Sequence, residues 1–305
     1  MAFDGSHLHG VIPPLVTPMY PDGSLNLAAI PVLVEAMLDA GVHAIFTPGS
    51  QSEAYALSAD ERAQVIDAVL EAVNGRVPVI AGTGAITTRD AIAHSQRAER
   101  AGADALSILT PYFITPSQDE LYAYYADIAA AVSLPILGYS NPQRAVVKIA
   151  PATLGQLAAD IPHFVGVKDS SGDLAETATI IRACPPGFKV FVGRDTLIFP
   201  ALCIGAVGTV ALSVNVAPRL AVGIYDAFRA GDHARARALQ DQLSILREGL
   251  PRFGSYPVWV KEAMNLLGLP AGPARKPILP LGDDQRAALR ALLASVGLLG
   301  EHVRE

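Results

Sequence analysis

The chain has 305 residues, of which 51% are apolar and 17% are charged, and its formal net charge is −6. That composition is typical of a packed α/β protein and excludes a disordered chain. Because Lys and Arg form no cluster and do not alternate with aromatic residues, we expect no nucleic-acid partner.

Short apolar runs alternate with helical segments over the first part of the chain. The predicted strands lie near 11–17, 43–48, 77–82, 105–110, 134–139, 164–168, 188–193 and 207–213. The predicted helices lie near 26–40, 58–73, 88–101, 117–131, 151–159, 173–183, 196–204 and 218–230. Strands that are apolar on both faces favour a parallel sheet covered by helices, and eight such units predict a (β/α)8 barrel. A doubly wound sheet is the alternative, but its Gly-x-Gly-x-x-Gly fingerprint is absent after the first strand.

Capping residues support several helix boundaries. Ser58 and Glu61 stand at the spacing of a capping box, and so do Ser117 and Glu120. Gly102 stands where a helix end favours a left-handed residue. These positions predict two helix starts and one helix end.

Only helical segments are expected beyond residue 231, near 232–249, 257–267 and 284–298. We therefore predict a barrel over 1–230 and a C-terminal helical extension over 231–305 that packs on it.

The stretch 196–218 carries no charge and is long enough to span a bilayer, but prolines and glycines interrupt it. We expect a buried helix over 196–204 and a buried strand over 207–213, and no membrane partner. Cys184 and Cys203 lack metal-ligand spacing and indicate buried thiols in a reducing compartment. The first residues lack a signal-peptide pattern, so we expect a cytoplasmic protein.

One charged residue, Lys168, ends the apolar run 164–168. Burial lowers the pKa of a lysine, and a neutral amine attacks ketones to form a Schiff base. The alternative is a lysine whose stem covers apolar surface while its ammonium reaches water.

Position separates Lys168 from the other four lysines. Active sites of (β/α)8 barrels lie at the C-terminal ends of the strands. Lys189 begins its strand, Lys148 lies in a connection, Lys261 lies in a helix, and Lys276 lies in a Pro-rich loop. Lys168 alone combines an apolar strand with a C-terminal position, which makes it the candidate nucleophile.

Other strand ends supply polar groups that such chemistry needs. The segment 49–53 follows strand two, and its hydroxyls and free backbone N–H groups can hold a carboxylate. Tyr139 ends strand five, where its hydroxyl can move the protons of a carbinolamine. Arg144 lies beyond it and can clamp a second carboxylate. An ordinary βα loop, a satisfied buried tyrosine and a solvated arginine are the structural alternatives.

Metal chemistry is disfavoured. The seven histidines never stand at the spacing of metal ligands, so we expect no metal-dependent aldolase. No phosphate-binding P-loop is present either.

The strand ends together resemble the dihydrodipicolinate synthase and N-acetylneuraminate lyase family over nearly the whole chain. Gly-Val-Lys-Asp-Ser-Ser-Gly-Asp at 166–173 is similar to the family's lysine strand, and Tyr139 before Asn-Pro is similar to its catalytic tyrosine. The segment 49–53 stands in the place of the family's Gly-Thr-Thr-Gly-Glu loop, which holds the pyruvate carboxylate. Val210 stands where a backbone carbonyl faces the active site.

The resemblance implies a lyase that forms a Schiff base with pyruvate or another 2-oxo acid, needs no cofactor and assembles as a homotetramer. The implied catalytic residues are Lys168, Tyr139 and Ser50. The implied substrate-binding residues are Gly49, Gln51, Arg144 and Val210.

Several positions depart from the synthases of this family. Ser50 and Gln51 stand where those synthases have two threonines; Ser50 keeps the relay hydroxyl, and Gln51 keeps a donor but is longer. Phe113 replaces a tyrosine that carries protons into the neighbouring subunit's site, whereas Arg144 matches their carboxylate-binding arginine. Arg194 replaces a residue that is usually acidic and near the distal end of the substrate. The pyruvate half is therefore largely retained, and the second-substrate half is altered.

Three functions remain open. The leading one is an aldolase or dehydratase acting on a 2-oxo acid, such as a 2-keto-3-deoxy sugar acid or a 4-hydroxy-2-oxo acid. The second condenses pyruvate with aspartate semialdehyde; Arg144 favours it and Phe113 opposes it. The third is a non-catalytic 2-oxo-acid-binding protein, against which Lys168 and Tyr139 argue.

Overall fold

Eight parallel strands curl into a barrel in the computed structural model, which describes residues 5–253 and 257–299. The strands are β1 Gly10–Val11, β2 Ile45–Thr47, β3 Val79–Gly82, β4 Ala105–Leu109, β5 Ile136–Ser140, β6 Phe164–Asp169, β7 Lys189–Val192 and β8 Gly208–Thr209. Their hydrogen-bonded order is β1-β8-β7-β6-β5-β4-β3-β2. A parallel bridge between Pro14 and Phe46 joins the chain beyond β1 to β2 and closes the remaining seam. The predicted barrel is confirmed.

Helices cover the outside of the barrel and continue beyond it. They are α1 Ile30–Leu38, α2 Ala59–Val73, α3 Thr88–Ala101, α4 Gln118–Ala130, α5 Pro142–Ala145, α6 Pro151–Asp160, α7 Leu174–Ala183, α8 Ile198–Cys203, α9 Pro218–Arg229, α10 His233–Gly249, α11 Val258–Leu266 and α12 Asp283–Ser295. Both capping boxes are present, with Ser58 capping α2 and Ser117 capping α4. Gly102 ends α3 with a φ of 93°. The four-residue α5 was not predicted, because it is too short to show a helical period.

The first and last strands are shorter than predicted. Proline has no N–H to donate to a strand ladder, and the prolines at 13 and 14 follow β1 after a single residue, Ile12. After β8 the chain soon enters a 3₁₀ turn, Leu212–Asn215. Both strands therefore end early, and the residues that follow them lie at the C-terminal end of the barrel.

Apolar side chains fill the barrel interior next to Lys168 and Tyr139. The interior cluster comprises Leu8, Ile12, Ala44, Phe46, Ile80, Ala105, Leu137, Phe191 and Val210. Lys168 of β6 is level with Tyr139 of β5 and with Phe191 of β7 in the strand register. Because side chains alternate along a strand, Lys168 and Tyr139 face the same interior as Leu137 and Phe191.

The helices after residue 231 share an apolar core with the barrel. One cluster contains Leu33 of α1, Ile224 of α9, Leu246 of α10 and Leu289 of α12. The boundary at residue 230 stays a prediction. Residues 1–4 of the N-terminal segment and 254–256 and 300–305 of the expected extension lie outside the described residues.

The uncharged stretch 196–218 forms part of the barrel, as α8 and β8. Within the described ranges, every helix is too short or too polar to cross a membrane. Cys184 is half-buried and Cys203 is exposed, so the prediction of buried thiols was wrong for Cys203. Cys203 is the last residue of α8, where the chain turns at the surface.

Candidate active site

Lys168 and Tyr139 form the centre of the candidate site. They are paired across β5 and β6, and their residues are 5% and 4% exposed. The Lys168 Nζ lies 4.1 Å from the centre of the Tyr139 ring and 5.0 Å from the centre of the Phe46 ring. The lysine amine is therefore enclosed by aromatic surface at the C-terminal end of the barrel, as its position in the sequence predicted.

This enclosure changes the acidity of both groups. Burial lowers the pKa of Lys168 below 10.5, although Tyr139 and the charge of Asp195 act in the opposite direction. Burial alone raises the pKa of Tyr139. The charge of Lys168 and hydrogen bonds from Asn141, Ser50 and Lys168 outweigh that effect and bring this pKa below 10.0. The amine thus gives up its proton more readily, and so does the phenol beside it.

The Tyr139 hydroxyl is held by groups from two loops. The Asn141 side chain donates a hydrogen bond to it over 2.9 Å, and Ser50 reaches it from the loop after β2. Ser50, Tyr139 and Lys168, predicted from separate strand ends, are therefore brought together. Sequence reasoning missed Asn141, although its position two residues after Tyr139 was a usable signal.

The loop 49–53 is shaped by close packing and by its own hydrogen bonds. A Cβ added to Gly49 would lie 2.6 Å from the Phe46 ring, so only glycine fits there. The Gly49 N–H donates to the Ser52 hydroxyl over 3.0 Å and is not free, contrary to expectation. Within the described residues, the N–H groups of Ser50 and Gln51 have no acceptor and remain the donors of this loop.

Gln51 has a buried amide without a protein partner. The residue is 1% exposed, and neither its Oε1 nor its Nε2 makes a hydrogen bond within the described parts of the chain. Leaving such a group unpaired costs about 1–3 kcal/mol. Because Gln51 lines the same cavity as Lys168, this amide is suited to bind a polar group of a ligand.

Two cavities meet at Tyr139 and Arg144, which line both. The smaller, of about 70 Å³, contains Lys168, Gln51 and Val210 on its wall. The larger, of about 550 Å³, is lined by residues of the loops after β2, β3 and β4, among them Gly49, Ser50, Tyr55 and Tyr112. A substrate bound to Lys168 would therefore lie in the smaller cavity, with the larger one on the other side of Tyr139.

Arg194 and Phe113, two positions that depart from the synthases, are placed very differently. Arg194 follows β7 and lines the smaller cavity with Lys168. Phe113 lies on the loop after β4, is 91% exposed and has a φ of 75°. Phe113 lines neither cavity of its own chain.

Arg247 of α10 reaches the smaller cavity from the C-terminal extension. Its Nε donates to Asp195 Oδ2 over 3.1 Å, and the Asp195 side chain is fully buried. The guanidinium also lies 5.6 Å from the centre of the Trp259 ring. Sequence reasoning missed Arg247, because a charge in an amphipathic helix carries no local mark of its tertiary neighbour.

Known proteins resemble this chain over nearly its whole length. Residues 7–296 match the model of the Dihydrodipicolinate synthetase family. A 4-hydroxy-tetrahydrodipicolinate synthase of Methanopyrus kandleri is 39% identical over 298 residues, covering 97% of this chain and 99% of that protein. An uncharacterized DapA-like lyase of Halobacterium salinarum is 41% identical over 292 residues, covering 96% and 95%. The crystal structure of YagE, a prophage protein of E. coli K12 in complex with pyruvate, matches with a TM-score of 0.92 and 31% identity, covering 96% and 99%.

The barrel fold and these relatives define a class I aldolase or lyase. The chain belongs to the dihydrodipicolinate synthetase family, which confirms the resemblance found in its sequence.

Proposed function

We propose that this enzyme forms a Schiff base between Lys168 and a 2-oxo acid, and that it cleaves, forms or dehydrates the substrate through the resulting enamine. Pyruvate is the 2-oxo acid released or consumed in the aldol reaction. The observation that carries the proposal is the enclosed Lys168 amine, with its lowered pKa, against the Tyr139 ring.

Binding begins with the carboxylate next to the keto group. The N–H groups of Ser50 and Gln51 and the unpaired Gln51 amide supply donors for it at the wall of the site. A carboxylate held there leaves the adjacent keto carbon on the side of Lys168.

The neutral Lys168 amine then attacks the keto carbon and gives a carbinolamine. Tyr139 donates a proton to the carbinolamine hydroxyl, which leaves as water, and Ser50 relays protons to and from the tyrosine. The protonated imine withdraws electrons. When the C3–C4 bond breaks, its electron pair enters the enamine while the C4 hydroxyl loses its proton and becomes an aldehyde. Dehydration instead begins with the loss of a C3 proton, whose bonding electron pair enters an enamine that keeps C4. This enamine then expels the C4 hydroxyl, which takes up a proton and leaves as water.

Borohydride trapping tests this proposal. Reduction in the presence of pyruvate should fix one pyruvate on Lys168, seen by peptide mass spectrometry, and Lys168→Met should abolish the adduct. Lys189→Met, at the opposite end of the barrel, is the matched control and should keep it. A folded wild-type enzyme that gives no adduct on Lys168 would contradict the proposal.

A second candidate function is the condensation of pyruvate with aspartate semialdehyde. The Methanopyrus kandleri relative carries the name of that synthase, and Arg144 lies at the junction of the two cavities, where a second carboxylate can be held. Phe113 opposes this function because it carries no proton. We expect weak turnover of aspartate semialdehyde in a coupled assay, and a strong increase in Phe113→Tyr. Equal activity of the wild type and Phe113→Tyr would show that Phe113 is not the cause of the weak turnover.

We also propose that the enzyme works as a homotetramer in the cytoplasm. Exposed apolar side chains support subunit contacts near the site: Phe113 is 91% exposed, Tyr55 54%, Ile114 44% and Ile86 37%. Ile86 and Ile114 line one shallow depression, and Phe113 precedes Ile114 directly.

A further inference from the structure

Three arginines from three separate elements converge on the smaller cavity. Arg144 lies in α5 after β5, Arg194 follows β7, and Arg247 belongs to α10. Lys168 of β6 lies between the first two in the order of the barrel strands. A volume of only about 70 Å³ thus has three arginines among the residues that line it.

Among the described residues, the negative charge near Arg194 and Arg247 does not balance the charge of these two arginines. No Asp or Glu stands among the described residues that line the cavity. Asp195 lies behind the wall and pairs with Arg247, while its other oxygen accepts the Ser213 N–H over 2.6 Å. Within the described chain, Arg194 forms no salt bridge.

The positions of these arginines complement the carboxylate site proposed above. Gln51 belongs to the loop after β2, whereas Arg194 belongs to the loop after β7, so they approach Lys168 from different strands. A 2-oxo acid whose first carboxylate is bound at the Gln51 side therefore extends its other end along the wall that carries Arg194 and Arg247.

We infer that Arg194 and Arg247 form a subsite for a second, terminal carboxylate of the substrate, so that the enzyme acts on dicarboxylic 2-oxo acids. The planar guanidinium matches a carboxylate with two parallel hydrogen bonds. The Asp195 carboxylate holds the Arg247 guanidinium in place. The Arg194 guanidinium, which forms no salt bridge within the described chain, supplies the two parallel N–H donors. This inference rests on the proposed Schiff-base function and specifies its substrate.

Two substrates of equal chain length test the subsite. The first, 4-hydroxy-2-oxopentanedioate, ends in a carboxylate; the second, 4,5-dihydroxy-2-oxopentanoate, ends in a hydroxymethyl group. Pyruvate release gives kcat and KM for each. A charge-assisted pair predicts a kcat/KM at least about tenfold higher for the dicarboxylate.

Arg194→Gln should remove most of this preference by raising KM for the dicarboxylate, and should change the hydroxymethyl substrate less than about twofold. Arg237→Gln removes the same charge from an exposed position of α10 and should leave the preference unchanged. Arg247→Lys keeps a cation beside Asp195 but loses the fork, and should reduce the preference. Equal wild-type rates for the two substrates, or equal losses in Arg194→Gln, would overturn the inference.

Failure of the subsite and failure of the proposed function are distinguishable. A pyruvate adduct on Lys168 without a carboxylate preference overturns the subsite alone. If no adduct forms, ligand binding still tests the subsite. Pentanedioate should raise the melting temperature of the wild type more than 5-hydroxypentanoate does. Arg194→Gln should abolish that difference. Equal shifts by both ligands overturn the subsite.

Discussion

Two lysines of this chain are buried to nearly the same degree, and their neighbours set their roles. Lys261 is fully buried, with its Nζ 2.6 Å from Glu53 Oε1 and 2.8 Å from the Pro273 carbonyl oxygen. Lys168 instead faces a cavity and two aromatic rings. Burial lowers the pKa of both amines, but of the two only Lys168 combines a lowered pKa with room for a ketone. Space beside the amine therefore separates the proposed nucleophile from a structural cation.

Removal of one hydroxyl tests the proton transfer. Tyr139→Phe keeps the ring beside Lys168 but cannot move protons, so we expect kcat to fall about 10²- to 10⁴-fold. Tyr122→Phe is the matched control, because the Tyr122 hydroxyl bonds to Asp160 on the outer surface. Pyruvate release measures both. A Tyr139→Phe enzyme with more than half the wild-type kcat would contradict the assignment.

The lowered pKa of Lys168 predicts a pH dependence. Only the neutral amine attacks, and its fraction rises as the pH passes the pKa of the lysine. Because burial lowers that pKa, the initial rate of adduct formation with pyruvate should rise with a midpoint below 10.5. Quenching the reaction with borohydride at successive times, over a series of pH values, measures this rate. A midpoint at or above 10.5 would mean that the amine is not desolvated.

At the scale of elements, one buried ion pair ties helix α11 to the loop 49–53. Lys261 of α11 holds Glu53, the residue that ends the loop 49–53 and has a φ of 57°. The Arg275 N–H donates to the other Glu53 oxygen over 2.8 Å. The loop that presents Ser50 and Gln51 is thus fixed from outside the barrel.

Breaking this pair should cost stability. Lys261→Met leaves the Glu53 carboxylate buried beside an apolar chain, so we expect the free energy of unfolding to fall by about 3–5 kcal/mol. Lys148→Met, which breaks the exposed pair with Glu176, should cost less than about 1 kcal/mol. Urea denaturation measures both.

The double variant Glu53→Gln with Lys261→Met checks the reason for that loss. Removing the stranded charge should restore part of the stability lost in Lys261→Met. A double variant less stable than Lys261→Met would contradict an electrostatic origin.

The sequence predicts the elements well and their long-range partners poorly. Lys168 and Tyr139 could be found because the C-terminal ends of the strands of a parallel barrel all lie at the same face. The alternation of apolar runs with helical segments marks where each strand ends. Arg247 and Lys261 could not, since a helical pattern shows which face is apolar but not what a charged side chain meets. The occupied N–H of Gly49 likewise depends on the folded path of its loop.

At the scale of the whole molecule, an exposed phenylalanine indicates a surface made for contact. Phe113 is 91% exposed next to other exposed apolar residues. If the proposed homotetramer forms through this surface, Phe113→Lys should split it into smaller species in sedimentation experiments, because a buried ammonium without a partner destabilises an interface. Phe113→Tyr keeps the ring and should sediment as the wild type does. A wild-type protein that is monomeric at micromolar concentration would contradict the assembly.

The ties between Glu53, Lys261 and Arg275 also have a consequence for protein synthesis. The loop 49–53, which we propose binds the substrate carboxylate, leaves the ribosome early. Its anchors Lys261 and Arg275 follow more than two hundred residues later, and Arg247 comes nearly as late. β1 must also wait for β8 before the barrel can close. The nascent chain therefore carries Lys168 and Tyr139 for much of its synthesis without a finished cavity around them, and the Lys168 amine is enclosed in an ordered cavity only when almost the whole chain has been made.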